Sequence, residues 1–267
     1  MMFDLSKLPE TISRKIAGQK WNCDRTGMSD STILLFDEMV LKIEKTSRSS
    51  KHERTLLGWL DGKLPVPKII EAETRNGYSF LLMSKLSGEM SCSDNSLRNI
   101  ENTVKALANG LKMLWQIDTT NCPCSNVVSE KLIQAKYNIE NGRVDTDNFE
   151  PETNGYDGFS GISELYDFLD QNRPTEDLVF SHGDFCLPNV FVSGCDATGF
   201  IDWGNGGMAD RWQDIALCVR SLRHNHMEYS GYDQDDYQKY KALLFKELGI
   251  VPNEERIRYY ILLDELF

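Results

Sequence analysis

A chain of 267 residues, 40% hydrophobic and 26% charged, has the composition of a soluble globular protein and material for one large domain or two lobes. Its formal net charge of −12 argues against nucleic acid as a partner and suits either a polycationic small substrate or plain solubility. No apolar run reaches the roughly 18–20 residues of a membrane span, and Met1-Met-Phe-Asp-Leu-Ser lacks the basic-then-apolar order of a signal peptide, so the expectation is a cytoplasmic protein without a membrane partner.

The chain begins with short β-type runs. Lys20-Trp21 and Ile33-Leu-Leu-Phe36 flank a polar stretch containing Thr26-Gly-Met-Ser29, and Asp37-Glu38 turns into the apolar strand 39–43. Strand alternation puts Lys42 on one face with Val40 and Glu44, opposite Leu41 and Ile43. Such a lysine is either an edge-strand charge or a phosphate-pairing lysine. Glu53, on the helical stretch 51–60, and Glu44, on the same strand, compete to orient it. Strands over 66–70 and 78–83 follow, and Ser84-Lys-Leu-Ser-Gly88 reads as a connector between lobes.

From Ser96 the apolar residues fall at three- and four-residue steps as far as Trp115, a buried helix stripe with Ser96 as its N-cap. Helical spacing resumes over 132–139. The stretch 141–161 is acidic and poor in apolar residues, either solvated surface or the wall of a cation site. A short helix over 162–169 leads to a strand at Val179. The segment Asn205-Gly-Gly-Met-Ala-Asp210 reads as a mobile loop, with Asp210 capping a helix that buries Trp212, Ile215, Ala216, Val219 and Leu222. Asp214 breaks that apolar face and is expected to hold the preceding loop by hydrogen bonds. The final helix starts near Asn253. The seven cysteines contain one close pair, Cys122-Pro-Cys124, without further ligands nearby, and are expected to be reduced thiols. His224 and His226 are expected to be exposed near a helix end.

The chemistry concentrates in Ser181-His-Gly-Asp-Phe-Cys-Leu-Pro-Asn189 and Gly199-Phe-Ile-Asp-Trp-Gly204. Two β-type runs each deliver a carboxylate, Asp184 and Asp202, into a loop. Asn189 follows Asp184 at the Asp-to-Asn spacing of a kinase catalytic loop, and Asp202-Trp-Gly stands where a kinase has Asp-Phe-Gly. One carboxylate to meet a hydroxyl, with an amide oxygen and a second carboxylate for magnesium, is the minimum set for phosphoryl transfer.

These stretches, with Ala209-Asp-Arg-Trp-Gln-Asp-Ile-Ala216 and Tyr259-Tyr-Ile-Leu-Leu-Asp-Glu-Leu-Phe267, resemble the aminoglycoside 3′-phosphotransferases. The resemblance extends to Gly27-Met-Ser29, residues 62–68 and Leu81-Leu-Met-Ser84, so it covers nearly the whole chain. It implies an α+β, two-lobed, protein-kinase-like fold, with a nucleotide-binding lobe over 1–86 and a catalytic and aminoglycoside-binding lobe over 87–267. By resemblance, Asp184 meets the acceptor hydroxyl, Asn189 and Asp202 hold Mg²⁺, and Lys42, oriented by Glu53, binds the phosphates of ATP, with GTP as the alternative donor. Met28 and Ser29 would cover the phosphates. Met83, Ser84 and Leu86 would form the hinge at the adenine edge, with Phe191 and Ile201 beneath the base. Asp147, Glu150, Arg220, Asp264, Glu265 and Phe267, the last through its carboxylate, would line the aminoglycoside site. The chain departs from relatives at Val40, Asn205 and Met208, and its acidic loop is longer. The expected assembly is a monomer or weak dimer. A kinase for another hydroxylated amine, and a non-catalytic binding protein on the same fold, are the alternatives.

Overall fold

The computed structural model describes residues 4–24, 31–146, 149, 158–230 and 233–267, with the backbone alone at 227–230. A helix, α1 (Glu10–Ile16), precedes an antiparallel five-stranded sheet of order β1-β2-β3-β5-β4. Its strands are β1 (Asn22–Asp24), β2 (Thr32–Leu35), β3 (Met39–Lys45), β4 (Ile69–Arg75) and β5 (Tyr78–Ser84). Strands β4 and β5 meet in a two-residue turn, Asn76-Gly77, whose φ values of 52° and 78° suit the right-handed twist of a hairpin. Side-chain alternation along β3 is as expected. Leu41 and Ile43 join Ile12, Leu34, Phe36, Phe80 and Leu82 in a small outer core, while Lys42 takes the opposite face.

Helix α2 (Arg48–Leu60) crosses that opposite face. Ser47 and Ser50 close a capping box that fixes where α2 starts, and Glu53, Leu56, Leu57 and Leu60 form its buried side. These leucines, with Leu81 and Met83 of β5, belong to the larger hydrophobic core, which continues without a break into the helical part of the chain.

That part contains β6 (Glu89–Met90), α3 (Asp94–Arg98), α4 (Ile100–Trp115), α5 (Val128–Glu140) and α6 (Ile162–Gln171). It continues with β7 (Leu178–Ser181), β8 (Val190–Ser193), β9 (Asp196–Phe200) and β10 (Gly207–Asp210), then α7 (Arg211–Ser230), α8 (Gln234–Leu248) and α9 (Glu254–Asp264). Strands β6, β8 and β9 form one small antiparallel sheet, and β7 pairs with β10 in another. The apolar stripe of α4 is buried as expected, and α8 lies alongside it. No helix among the described residues is long and apolar enough to cross a membrane.

Several expectations need correction. The helix expected from Ser96 divides into α3 and α4, because Ser93 rather than Ser96 caps the first turn and Asn99 leaves the helical region at φ −106°, ψ 39°. Strand β4 begins at Ile69, beyond the prolines at 65 and 67, and runs on to Arg75. His226 is fully buried beside the Tyr240 ring, 5.1 Å between centroids, and α7 continues past it to Ser230. The stretch 205–210 is mostly strand rather than a mobile loop: four of its six residues, Gly207–Asp210, pair residue for residue with β7. Helix α8 was not anticipated, although Asp233 as N-cap, buried Tyr237, Tyr240, Leu244, Phe245 and Leu248, and Gly249 in the left-handed region carry the full helix signature.

Candidate active site

Lys42 is the centre of an ion cluster. Its Nζ lies 2.8 Å from Glu53 Oε2, 3.1 Å from Asp202 Oδ1 and 3.9 Å from Glu44 Oε1. Of the two candidate partners, Glu53 therefore holds the lysine, and the capping box that sets the start of α2 sets that carboxylate's height along the strand. Lys42 and Glu53 are 8% and 3% exposed, so neither is an edge-strand surface charge. Burial works against the Lys42 ammonium, but Glu53, Asp202 and Glu44 outweigh it and hold its pKa above the usual range. Burial likewise pushes the Glu53 carboxyl up, with Lys42 opposing.

Asp202 stands just beyond β9 with φ of 64°, a left-handed conformation that a non-glycine residue adopts at a cost. The conformation is retained in a turn where the Ile201 amide donates to Asn189 O (3.0 Å) and His182 Nε2 meets Ile201 O (2.9 Å). The His182 ring also lies 4.4 Å from the Trp203 ring between centroids. The loop carrying Asp184 is thus fastened to the loop carrying Asp202.

Asp214 secures that first loop from below, as expected. Fully buried on α7, it accepts from the amides of His182 (2.7 Å) and Gly183 (2.9 Å). Burial pushes the Asp214 carboxyl up, and His182 and these amides oppose it. Gln213 adds a bond from its Nε2 to Gly183 O, 3.1 Å. Gly183 itself has φ of 80°, and a Cβ there would lie 1.7 Å from Asn205 O. Gly183→Ala is therefore expected to cost at least about 1–2 kcal/mol from the backbone conformation alone, with a fall of several degrees in the thermal midpoint. An unchanged midpoint by calorimetry would show that the two loops separate freely. Within the loop, Asn189 Nδ2 donates to Asp184 O (3.0 Å) and Asp184 Oδ2 (2.9 Å).

The segment after Asp202 is braced from two sides. Asn126 Nδ2 donates to Asn205 O and Gly206 O, His52 Nε2 meets Gly206 O, and Ser125 forms a bridge with Met208. Around the segment expected to form the hinge, Val40 pairs with Met83, Ser84 exchanges bonds with the Lys68 backbone, and Leu86 rests half-buried against Gly199. Phe191 and Ile201 are half-buried on the neighbouring loops.

At the far end, α9 brings Asp264, Glu265 and Phe267 toward α5 and α7. Arg220 Nη2 pairs with Asp264 Oδ2 at 2.6 Å. Burial pushes the Cys186 thiol well up, with the neighbouring Asp184 adding to the shift and Arg220 opposing it.

The phosphotransferase enzyme family profile matches residues 24–243. An aminoglycoside 3′-phosphotransferase of Enterococcus faecalis is 38% identical over 264 residues, covering 93% of this chain and 95% of the relative. The chain belongs to this family. A second aminoglycoside 3′-phosphotransferase, from Niallia circulans, is 41% identical over 82% of this chain and 79% of its own. The crystal structure of a type VIII aminoglycoside-3′-phosphotransferase superposes with a TM-score of 0.78 at 26% identity, covering 96% of this chain and 97% of the other.

In this member of the aminoglycoside 3′-phosphotransferase family, Lys42, Glu53, Asp184, Asn189 and Asp202 converge from elements distant in sequence. Met28, Ser29, Asp147 and Glu150 lie outside the described residues. The donors suit magnesium. A hard cation takes oxygen ligands, and Asn189 spends its Nδ2 on Asp184, leaving Oδ1 available. The Asp202 side chain is 46% exposed, with one oxygen free of Lys42. Sequence reasoning missed His52, Asn126 and Gln213, whose bonds to backbone carbonyls leave no periodic signal. It also missed Lys131. That lysine breaks the apolar face of α5 formed by Val128, Leu132 and Ala135, which was a readable sign of a buried cation.

Proposed function

We propose that this chain transfers the γ-phosphoryl group of ATP to the 3′-hydroxyl of kanamycin- and neomycin-type aminoglycosides, conferring resistance to them. The observation that carries the reading is the bond from Lys42 Nζ to Asp202 Oδ1, which joins residues 160 positions apart. A lysine held by a helix carboxylate beside an aspartate with open metal-binding oxygen is what phosphate binding requires. Lys42 would engage the nucleotide phosphates, with Asn189 and Asp202 holding Mg²⁺. The metal, when bound, supplies neutralisation of the phosphate charge. Asp184, held by Asn189, orients the acceptor hydroxyl and takes its proton. Asp264, Glu265 and Phe267 receive the acceptor's ammonium-bearing rings, and Arg220 keeps Asp264 in place. Val40, at the position where some relatives carry an aromatic that stacks on the adenine, would leave contact with the base to Phe191 and Ile201, with GTP as the alternative donor.

The test is nucleotide turnover with kanamycin, with the product's phosphate located by phosphorus–proton coupling. Phosphorylation at the 3′ position is expected. Turnover only with other hydroxylated amines would move the assignment to a metabolic kinase, and no turnover with any acceptor would leave a binding protein on a kinase-like fold.

A further inference from the structure

Helix α5 carries none of the motif residues, yet one of its sides faces the end of α9. Lys131 and Asn138 stand two helical turns apart, so they share that side, and they are 8% and 9% exposed. Asn138 Nδ2 donates to Leu266 O at 2.9 Å. Lys131 Nζ lies 5.0 Å from the centroid of the Phe267 ring, in cation–π range. Beyond the last turn of α9, Leu266 and Phe267 are otherwise secured by backbone bonds to Leu263 and Asp264, and by the burial of Leu266.

Lys131 is an unusual residue to bury here. Burial pushes its ammonium down, while Asp264, Asp214 and Asp184 oppose that shift. Among the described residues it forms no direct ion pair, and its ammonium lies over the Phe267 ring. A methionine of similar length would fill the same volume without a desolvation cost, and replacing buried charge by apolar side chains is often neutral or stabilising. Packing alone therefore gives no reason for a lysine at this position.

We propose that Lys131 and Asn138 are positioning residues for the acceptor, a two-point clamp from α5 that holds Leu266 and Phe267 and so fixes how Asp264, Glu265 and the Phe267 carboxylate meet the substrate. The clamp rests on the functional reading above, in which the 264–267 segment receives the aminoglycoside. Arg220 holds Asp264 from α7, and the α5 pair holds the two residues beyond it, so the segment is gripped from two helices.

The experiment compares the full-length chain with K131M, K131R and N138L. In steady-state kinetics, K131M and N138L are expected to raise KM for kanamycin about tenfold while kcat and the nucleotide KM stay within about twofold, the signature of lost acceptor binding. K131R, which keeps the cation over the ring, is expected to restore KM. Amide hydrogen exchange on the free enzymes gives an independent reading: Leu266 and Phe267 should exchange faster in K131M and N138L, with the remainder of α9 unchanged. Wild-type KM in K131M, or unaltered exchange at both residues, would overturn the clamp. If the unsubstituted chain phosphorylates no aminoglycoside, the functional reading fails instead, and the exchange data still decide whether α5 holds the segment.

Discussion

Replacing Asp184 by alanine is expected to lower kcat by a factor of about 10²–10⁴, the range for removing a positioned general base, while nucleotide affinity barely changes. The asymmetry follows from the hydrogen bonds. Asp184 is tied to Asn189, whereas the phosphate-side cluster is Lys42, Glu53 and Asp202. In the proposed role, loss of the Asp184 carboxylate removes the group that would meet the acceptor hydroxyl and leaves that cluster intact. Asn189→Ala has the converse pattern, a weaker metal-dependent binding of nucleotide, because it removes an oxygen donor. The paired measurement is kcat from single-turnover kinetics and nucleotide Kd from calorimetry. If Asp184→Ala kept kcat within tenfold of the unsubstituted enzyme, another group would be accepting the hydroxyl proton.

Lys42→Met is expected to combine two large effects. Glu53, 3% exposed, would lose its buried cation, and breaking such a pair from one side costs about 3–5 kcal/mol. Turnover should fall by about 10²–10³, as for loss of one preorganised electrostatic donor. A double variant separates the two. In K42M/E53L the orphaned carboxylate is gone as well, so most of the stability should return while activity stays low. Denaturant unfolding of the single and double variants makes the comparison. Recovery of activity together with stability would mean that Lys42 serves the fold and not the phosphates.

The elements best anticipated were those whose signal is local. Alternation along 39–43 put Lys42 on the face away from Leu41 and Ile43, and the apolar stripe of α4 was legible because each contact lies within a few residues. The same holds for Asp210, which accepts from the Trp212 amide at 3.2 Å at the start of α7. Residues 205–210 were misjudged for the opposite reason. Glycine and asparagine suggest freedom, but the segment is ordered by partners far away in sequence: β7, the 124–126 loop and His52 on α2. His226 misled similarly, since the Tyr240 ring that covers it comes from a helix not anticipated at all.

By itself the sequence pointed to phosphoryl transfer and to Asp184, Asn189 and Asp202 as the candidates for it, because their spacing is set within short loops between strands. It left open whether Glu53 or Glu44 would orient Lys42, since strand alternation brings Glu44 near in any case. Tertiary structure decided that question by laying α2 across the sheet, bringing Glu53 to 2.8 Å and leaving Glu44 at 3.9 Å. It alone also brought Lys131 and Asn138 against Phe267 and Leu266. Contacts between helices more than a hundred residues apart depend on how the core packs, and no local pattern in the chain encodes them.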